Sequence, residues 1–278
     1  MVYIKARFAG MFYEKSKEAL LKQLENCFFH EYGPKDEKSL NAKAVIVPHA
    51  GYIYSGPAMA HAYRALGKID KAIIFGTNHS AKGTEPFILP NKLKGYELPN
   101  GKIEIEKIDL DISAERNDEI IANEHSIEVQ LPFIKYLNEN AKIFPIIVNT
   151  FNLEEINYLI DKILEANNGF KFIFSSDFTH YGIQYGFAPF EAQGKKLIEK
   201  IHLLDKACIE KIFSLNATEF EKEARKTTIC GVNVIMASIE LAKKLNLKPI
   251  LLKYYTSAEI TKSYDNFAIV SYASIAFR

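Results

Sequence analysis

AVIVPHAGYIYSGPAMAHAYRALGKIDKAIIFGTNHS, residues 44 to 80, is the stretch that decides the fold. Its outer runs, AVIV (44 to 47) and AIIF (72 to 75), are short, continuous and rich in β-branched residues, the pattern of strands buried on both faces. Between them GPAMAHAYRALG, from Gly56 to Gly67, is long enough for one helix of about three turns. The unit reads as βαβ, which requires parallel strands. Working outward, IFPIIV (143 to 148) and FIF (172 to 174) flank LEEINYLIDKILEA (153 to 166), whose apolar residues keep helical spacing and which ends in Asn167-Asn168-Gly169. Strands that alternate with helices predict an α/β fold: a mostly parallel central sheet with helices on both faces.

Away from these units the pattern loosens. FILP and KIEIEKI, between Pro86 and Ile108, are broken by Pro90, Gly95, Pro99 and Gly101, which suits an antiparallel excursion or edge hairpin. The tail predicts a long helix at about 187 to 213, a second from Val232 to Leu245, and strands PILLKYY (249 to 255) and FAIVSYASIAF (267 to 277). No low-complexity linker or internal repeat interrupts the chain, so residues 1 to 278 are read as one domain.

Composition narrows the function classes. With 278 residues, 48% of them hydrophobic, the chain has enough apolar surface for a full core, and disorder is excluded. Lys and Arg number 35 against 34 Asp and Glu, a net charge of +1, so no long-range field gathers a phosphate backbone and nucleic-acid binding is not expected. No run approaches the ~20 apolar residues of a bilayer span, and Lys5 and Arg7 interrupt the start, so no membrane role is expected and a cytoplasmic location is. Cys27, Cys208 and Cys230 are odd in number and form no CxxC, which argues against a disulfide framework or a zinc knuckle.

The chemistry sits where the strands stop. AVIVP runs into His49-Ala50-Gly51-Tyr52, AIIFG into Thr77-Asn78-His79-Ser80, and FIFSS into Asp177-Phe178-Thr179-His180-Tyr181. The carboxyl edge of an open α/β sheet is where ligands bind, and three histidines collect there. If neighbouring strands ~4.8 Å apart carry His49 and His79, their imidazoles can share one metal ion. His125, in Asn123-Glu124-His125-Ser126, precedes the amphipathic IEVQLPFIKYL with Ser126 or Asn123 placed to cap the helix; capping and a substrate contact are both open to it. Cys230 lies just before the helix at Val232, where a helix dipole favours thiolate, whereas Cys27 and Cys208 fall on apolar helix faces and read as core. His30, His61 and His202 read as structural. Two chemistries remain open: a mononuclear metal site of two His and a third ligand, or a nucleophilic pair of Cys230 with His180 or His125. GTNHSAKG lacks the spacing of either common phosphate-binding loop.

PHAGYIYSG, GTNHS, EHSIEVQLPF, SSDFTHYG and TICG, in this order and with the opening Arg7, Ala9-Gly10 and Phe12-Tyr13, closely resemble the Memo family over nearly the whole chain. Glu14 stands where that family often has Pro. The resemblance implies the fold of the class III extradiol dioxygenases, which hold non-haem Fe(II) on two His and a carboxylate and use a further His as acid/base. Carried over by motif, it implies His49 and His79 as metal ligands, His180 as the acid/base, Asp177 as its polar neighbour and Cys230 as third ligand in place of the carboxylate. A thiolate is softer and can itself be oxidised, so copper as well as iron is expected and ring cleavage is not inherited with the fold. The resemblance further implies a metal-binding redox protein or a protein-binding adaptor that holds a small molecule or peptide in the cleft, with a radical-SAM protein as a possible partner. Tyr52, Tyr54, Phe178 and Tyr181 are the aromatics expected to hold such a side chain.

Overall fold

The protein is described by a computed structural model over residues 2–166, 169–264 and 268–278. The first half runs β1 (Val2–Lys5), α1 (Lys17–Phe29), β2 (Ala44–Val47), α2 (Tyr52–Leu66), β3 (Lys71–Thr77), β4 (Phe87–Leu89), β5 (Leu93–Leu98), β6 (Gly101–Ile105) and β7 (Glu115–Arg116). Helices α3 (Asp118–Ala122), α4 (His125–Glu128) and α5 (Leu131–Leu137) follow, then β8 (Lys142–Val148), α6 (Leu153–Glu165), β9 (Lys171–Ser175) and β10 (His180–Tyr181). The tail holds α7 (Gly194–Phe213), α8 (Ala217–Ala224), α9 (Val232–Lys244), β11 (Pro249–Thr256), α10 (Ser257–Thr261) and β12 (Ile269–Phe277).

The strands form one sheet in the order β1-β5-β6-β8-β3-β9-β2-β12-β10, with β11 on β12 and β4 bridging β8 to β7. Its centre, β6 through β2, is parallel. Antiparallel pairs flank it, the β5–β6 hairpin on one side and β12 against β2, β10 and β11 on the other, while β1 adds to β5 in parallel. Alternation along the central strands builds two cores. Val45, Val47, Ile74 and Ile173 face α1, α2 and α5; Ala44, Ile46, Ile73, Phe75, Phe172 and Phe174 face α6, α8 and α9. Cross-strand partners Phe75 and Phe174 stack with ring centroids 4.4 Å apart. Helices thus cover both faces, as the buried strands require.

Several boundaries differ from the sequence reading. Helix α2 begins at Tyr52, not Gly56, and carries Pro57 inside it. Gly56 is there for space: a Cβ on it would lie 2.4 Å from Cys27 Sγ on α1. The helix instead starts where Tyr52 N–H donates to Phe12 O at 2.8 Å. Helix α7 begins at Gly194, after a loop in which Gly182, Gly186 and Gly194 all take positive φ. LKGYEL forms β5 despite Gly95, whose missing Cβ leaves room for the backbone of Ile103, 2.0 Å from where that atom would sit. Glu124, rather than Ser126 or Asn123, caps α4. Asn167 and Asn168 of the expected turn and Phe267 of the last expected strand lie outside the described residues.

Candidate metal centre

Strands β2 and β3 are not neighbours, because β9 lies between them. His49 and His79 therefore meet by leaning over the carboxyl end of β9, where Ser175 and Ser176 stand, and their ring centroids are 5.1 Å apart. Cys230 arrives from the opposite side on the turn before α9. Gly231 permits this approach, since a Cβ there would sit 2.6 Å from Ser176 Cβ and 2.9 Å from Thr77 Oγ1. One donor atom each from His49, His79 and Cys230 falls within 4.8 Å of the others. Cys230 Sγ is 3.3 Å from His49 Nε2. Nitrogen and sulfur ligands on one tetrahedral ion, at ~2.0 and ~2.3 Å, stand roughly 3.5 Å apart, so the set has the right size for a cation.

The hydrogen bonds determine which lone pairs point inward. Ser175 Oγ gives its single proton to Ser126 O at 2.7 Å and so accepts from both Gln130 Nε2 and His49 Nδ1, each at 2.9 Å. That assignment places the His49 proton on Nδ1 and a free lone pair on Nε2, facing Cys230. His79 Nδ1 lies 2.8 Å from Glu124 Oε1, whose carboxylate also accepts His79 N–H and Ser126 N–H. Its Nε2 is again the ligand nitrogen. Carboxylate and hydroxyl acceptors behind a histidine are the usual means of orienting a metal-binding imidazole. Asp177 N–H donates to Cys230 Sγ at 3.3 Å, which fixes the sulfur beside His49.

Charge is tightly distributed. Burial first, and then His79, His125 and His180, push the His49 imidazolium well below its ordinary range, so this ring is neutral. Burial, followed by His79, lowers His125 to about 4. His79 is the exception: burial lowers it, but hydrogen bonds to Cys230 and Glu124 outweigh that and raise it to about 10. A cation bound to His79 would displace the proton this ring otherwise holds.

The other anticipated residues surround this trio. His125 packs on His79 and His49 with centroids at 4.2 and 5.1 Å, and Phe12 covers its other side at 4.9 Å. Glu128, fully buried, fixes that covering segment by accepting Arg7 N–H, Phe8 N–H and Tyr13 O–H at 2.7–2.8 Å. His180 stands further off, its Nδ1 3.1 Å from Thr228 O and its ring lining a cavity of about 810 Å³ beside the trio. Asp177 lines the same cavity, but its carboxylate accepts His49 N–H at 2.8 Å and is not hydrogen-bonded to His180. Of the expected aromatics only Tyr54 reaches this cavity. Tyr52 donates to Val129 O, Phe178 is core and Tyr181 donates to Phe190 O. Phe12, Tyr185 and Tyr272 take their place. Sequence reasoning passed over Glu124 and Ser175 as site residues; an acid immediately before His125 was a signal for the first, whereas Ser175 looked like the last residue of a strand. His79, Glu124 and His125 also form a compact donor group, though the Glu124 carboxylate is already committed to His79.

The chain is similar to known proteins over nearly its whole length. The family model described as Memo-like protein matches residues 5–276. A MEMO1 family protein of Sulfurisphaera tokodaii is 38% identical, the match covering 97% of both chains. One from Caldivirga maquilingensis is 36% identical across 100% of this chain and 99% of its own. One from Methanopyrus kandleri is 32% identical over 97% of each.

Proposed function

The chain belongs to the Memo family, and from that premise we propose that it is a metal-binding redox protein whose centre is His49, His79 and Cys230. The observation that carries this reading is the convergence of one thiol and two imidazole Nε2 atoms within 4.8 Å, each imidazole having an acceptor behind its Nδ1. A catalytic pair needs one base beside the thiol, and a second oriented histidine has no role in it; a metal site uses all three. Two nitrogens and a thiolate favour iron or copper over the hard oxygen-loving cations. When bound, such an ion supplies one-electron chemistry and Lewis acidity at the edge of the cavity.

The chain's own groups do the rest. Glu124 and Ser175 hold the two ligand rings in one tautomer. His180, with Nδ1 directed at Thr228 O, keeps Nε2 for taking and returning a proton from a molecule in the cavity. Phe12 closes the side over His125 and limits water. Asp177 fixes the backbone of the His49 loop through its accepted N–H bond.

The test is elemental analysis of protein purified anaerobically and then reconstituted with Fe(II) or Cu(I). Stoichiometric, chelator-resistant metal is expected in the native chain, with loss in His49→Ala, His79→Ala and Cys230→Ser at unchanged circular dichroism. A reconstituted native chain that holds neither metal overturns the reading. Fast alkylation of Cys230 that depends on His49 would then mark a metal-free thiol catalyst, favoured by their 3.3 Å contact.

A further inference from the structure

Seven tyrosines are buried among the described residues, and their hydroxyls differ in one respect. Those of Tyr13, Tyr52, Tyr63, Tyr96, Tyr181 and Tyr255 each donate to a carboxylate or a backbone or side-chain carbonyl. Tyr272, 1% exposed, has no hydrogen-bond partner among the described residues. The phenol of a buried tyrosine usually finds one; the Tyr272 hydroxyl is not an enclosed atom, so it opens on the cavity with its donor uncommitted to the described residues. Tyr272 is held by its ring, which packs edge-on against Tyr255 at 5.7 Å, and it lines the cavity that also contains Asp177 and His180.

Its place follows from strand pairing. β12 aligns Val270 with His180 of β10, so alternate residues Val270 and Tyr272 share the face on which His180 stands, and all three line the cavity. Much of the remaining lining is aromatic or hydroxylic: Phe12, Tyr54, Tyr185, Ser257 and Thr261. Among the described lining residues there is no Lys or Arg, and the one carboxylate is Asp177. The described walls offer a formally negative ligand no Lys or Arg as countercharge. A flat neutral ring finds stacking partners, and an acceptor oxygen on it finds a waiting donor.

We infer that this cavity is a ligand site in which Tyr272 donates its hydroxyl hydrogen bond to the oxygen of a neutral, ring-bearing molecule such as an aromatic amide or ketone. Burial, with the nearby Asp177 carboxylate adding to it, raises the Tyr272 phenol well above its ordinary range, so the donor proton is retained at any working pH. The cavity, at about 810 Å³, is in the size range of sites for small organic molecules. The inference borrows from the metal reading only the adjacency of the two sites.

The experiment uses benzamide and benzoate as matched probes, titrated by ligand-observed NMR into full-length protein, both untreated and stripped with chelator. Stripping prevents a carboxylate from reporting a metal. Benzamide is expected to bind both forms and to bind tighter than benzoate to the stripped form. Tyr272→Phe should weaken benzamide about three- to tenfold, the size of one neutral hydrogen bond. The same variant should keep the melting temperature, since it deletes a hydroxyl that opens on the cavity and bonds no described residue. Tyr255→Phe, whose hydroxyl has partners at Tyr54 O and Ala58 N, should lower it. Benzamide affinity that is absent, or unchanged by Tyr272→Phe, overturns the inference, and so does a fall in melting temperature for that variant. Benzoate binding the stripped form as tightly as benzamide overturns the neutral class. Metal occupancy in Tyr272→Phe should equal that of the native chain, so failure here and failure of the metal centre are separate results.

Discussion

At the residue scale the centre depends on groups that never touch its contents. Glu124 bonds the side chain and backbone of His79 and, through Ser126 N–H, the first turn of α4. Removing its charge while keeping its shape is the informative change. Glu124→Gln is expected to weaken metal affinity about 10- to 100-fold, as loss of such partners typically does, measured by competition with a chromophoric chelator. An affinity within threefold of native would show that His79 needs no orienter. The sequence made the histidines and Cys230 visible because each interrupts an apolar run or stands before a helix. It did not reveal Tyr272, since an aromatic residue inside YASIAF is indistinguishable from core until the missing partner of its hydroxyl is seen.

At the element scale, local rules and tertiary contacts divided the outcome. The buried strands were legible from their β-branched runs, and α6 from its apolar spacing; its Asn152 cap is seen only in the structure. The start of α2 was not, because Gly56-Pro57 looks like a helix beginning, whereas the glycine serves close packing against Cys27. The short α10 shows an element that electrostatics sustains. Thr256 and Glu259 form a reciprocal cap, and Glu259 also lies 3.1 Å from His202. Burial raises the Glu259 carboxyl, but hydrogen bonds to His202 and Thr256 win and leave it below its ordinary value of 4.5. A carboxylate with a depressed folded-state value stabilises the fold above its ordinary range, and that contribution is lost as pH falls through the folded value. Glu259→Ala should therefore lower stability at pH 7 by about 1–2 kcal/mol, with the gap to native narrowing in denaturant unfolding as pH falls below the ordinary carboxylate value of 4.5. A gap independent of pH would remove the charge from the account.

At the scale of the whole molecule, the two cores are two faces of one sheet. Ile74 and Phe75, adjacent on β3, belong to different cores, and no strand at the centre serves only one. Calorimetric unfolding is expected to show one transition with equal calorimetric and van't Hoff enthalpies. Two resolved transitions would divide the chain into separate domains. Strand order was the part of the architecture least open to sequence: insertion of β9 between β2 and β3 depends on long-range pairing that no local pattern encodes. No described helix is long and apolar enough to cross a membrane.

The position of β12 has a temporal consequence. This strand closes against β2, β10 and β11 and carries Tyr272, yet it is Ile269–Phe277, synthesised after every other element described. A nascent chain can pair β2, β3, β8 and β9 while still attached to the ribosome, but β2 keeps an open edge and the cavity lacks a wall until residue 277 has cleared the exit tunnel. Such late, long-range closure slows the final step of folding and leaves a sticky strand edge exposed meanwhile.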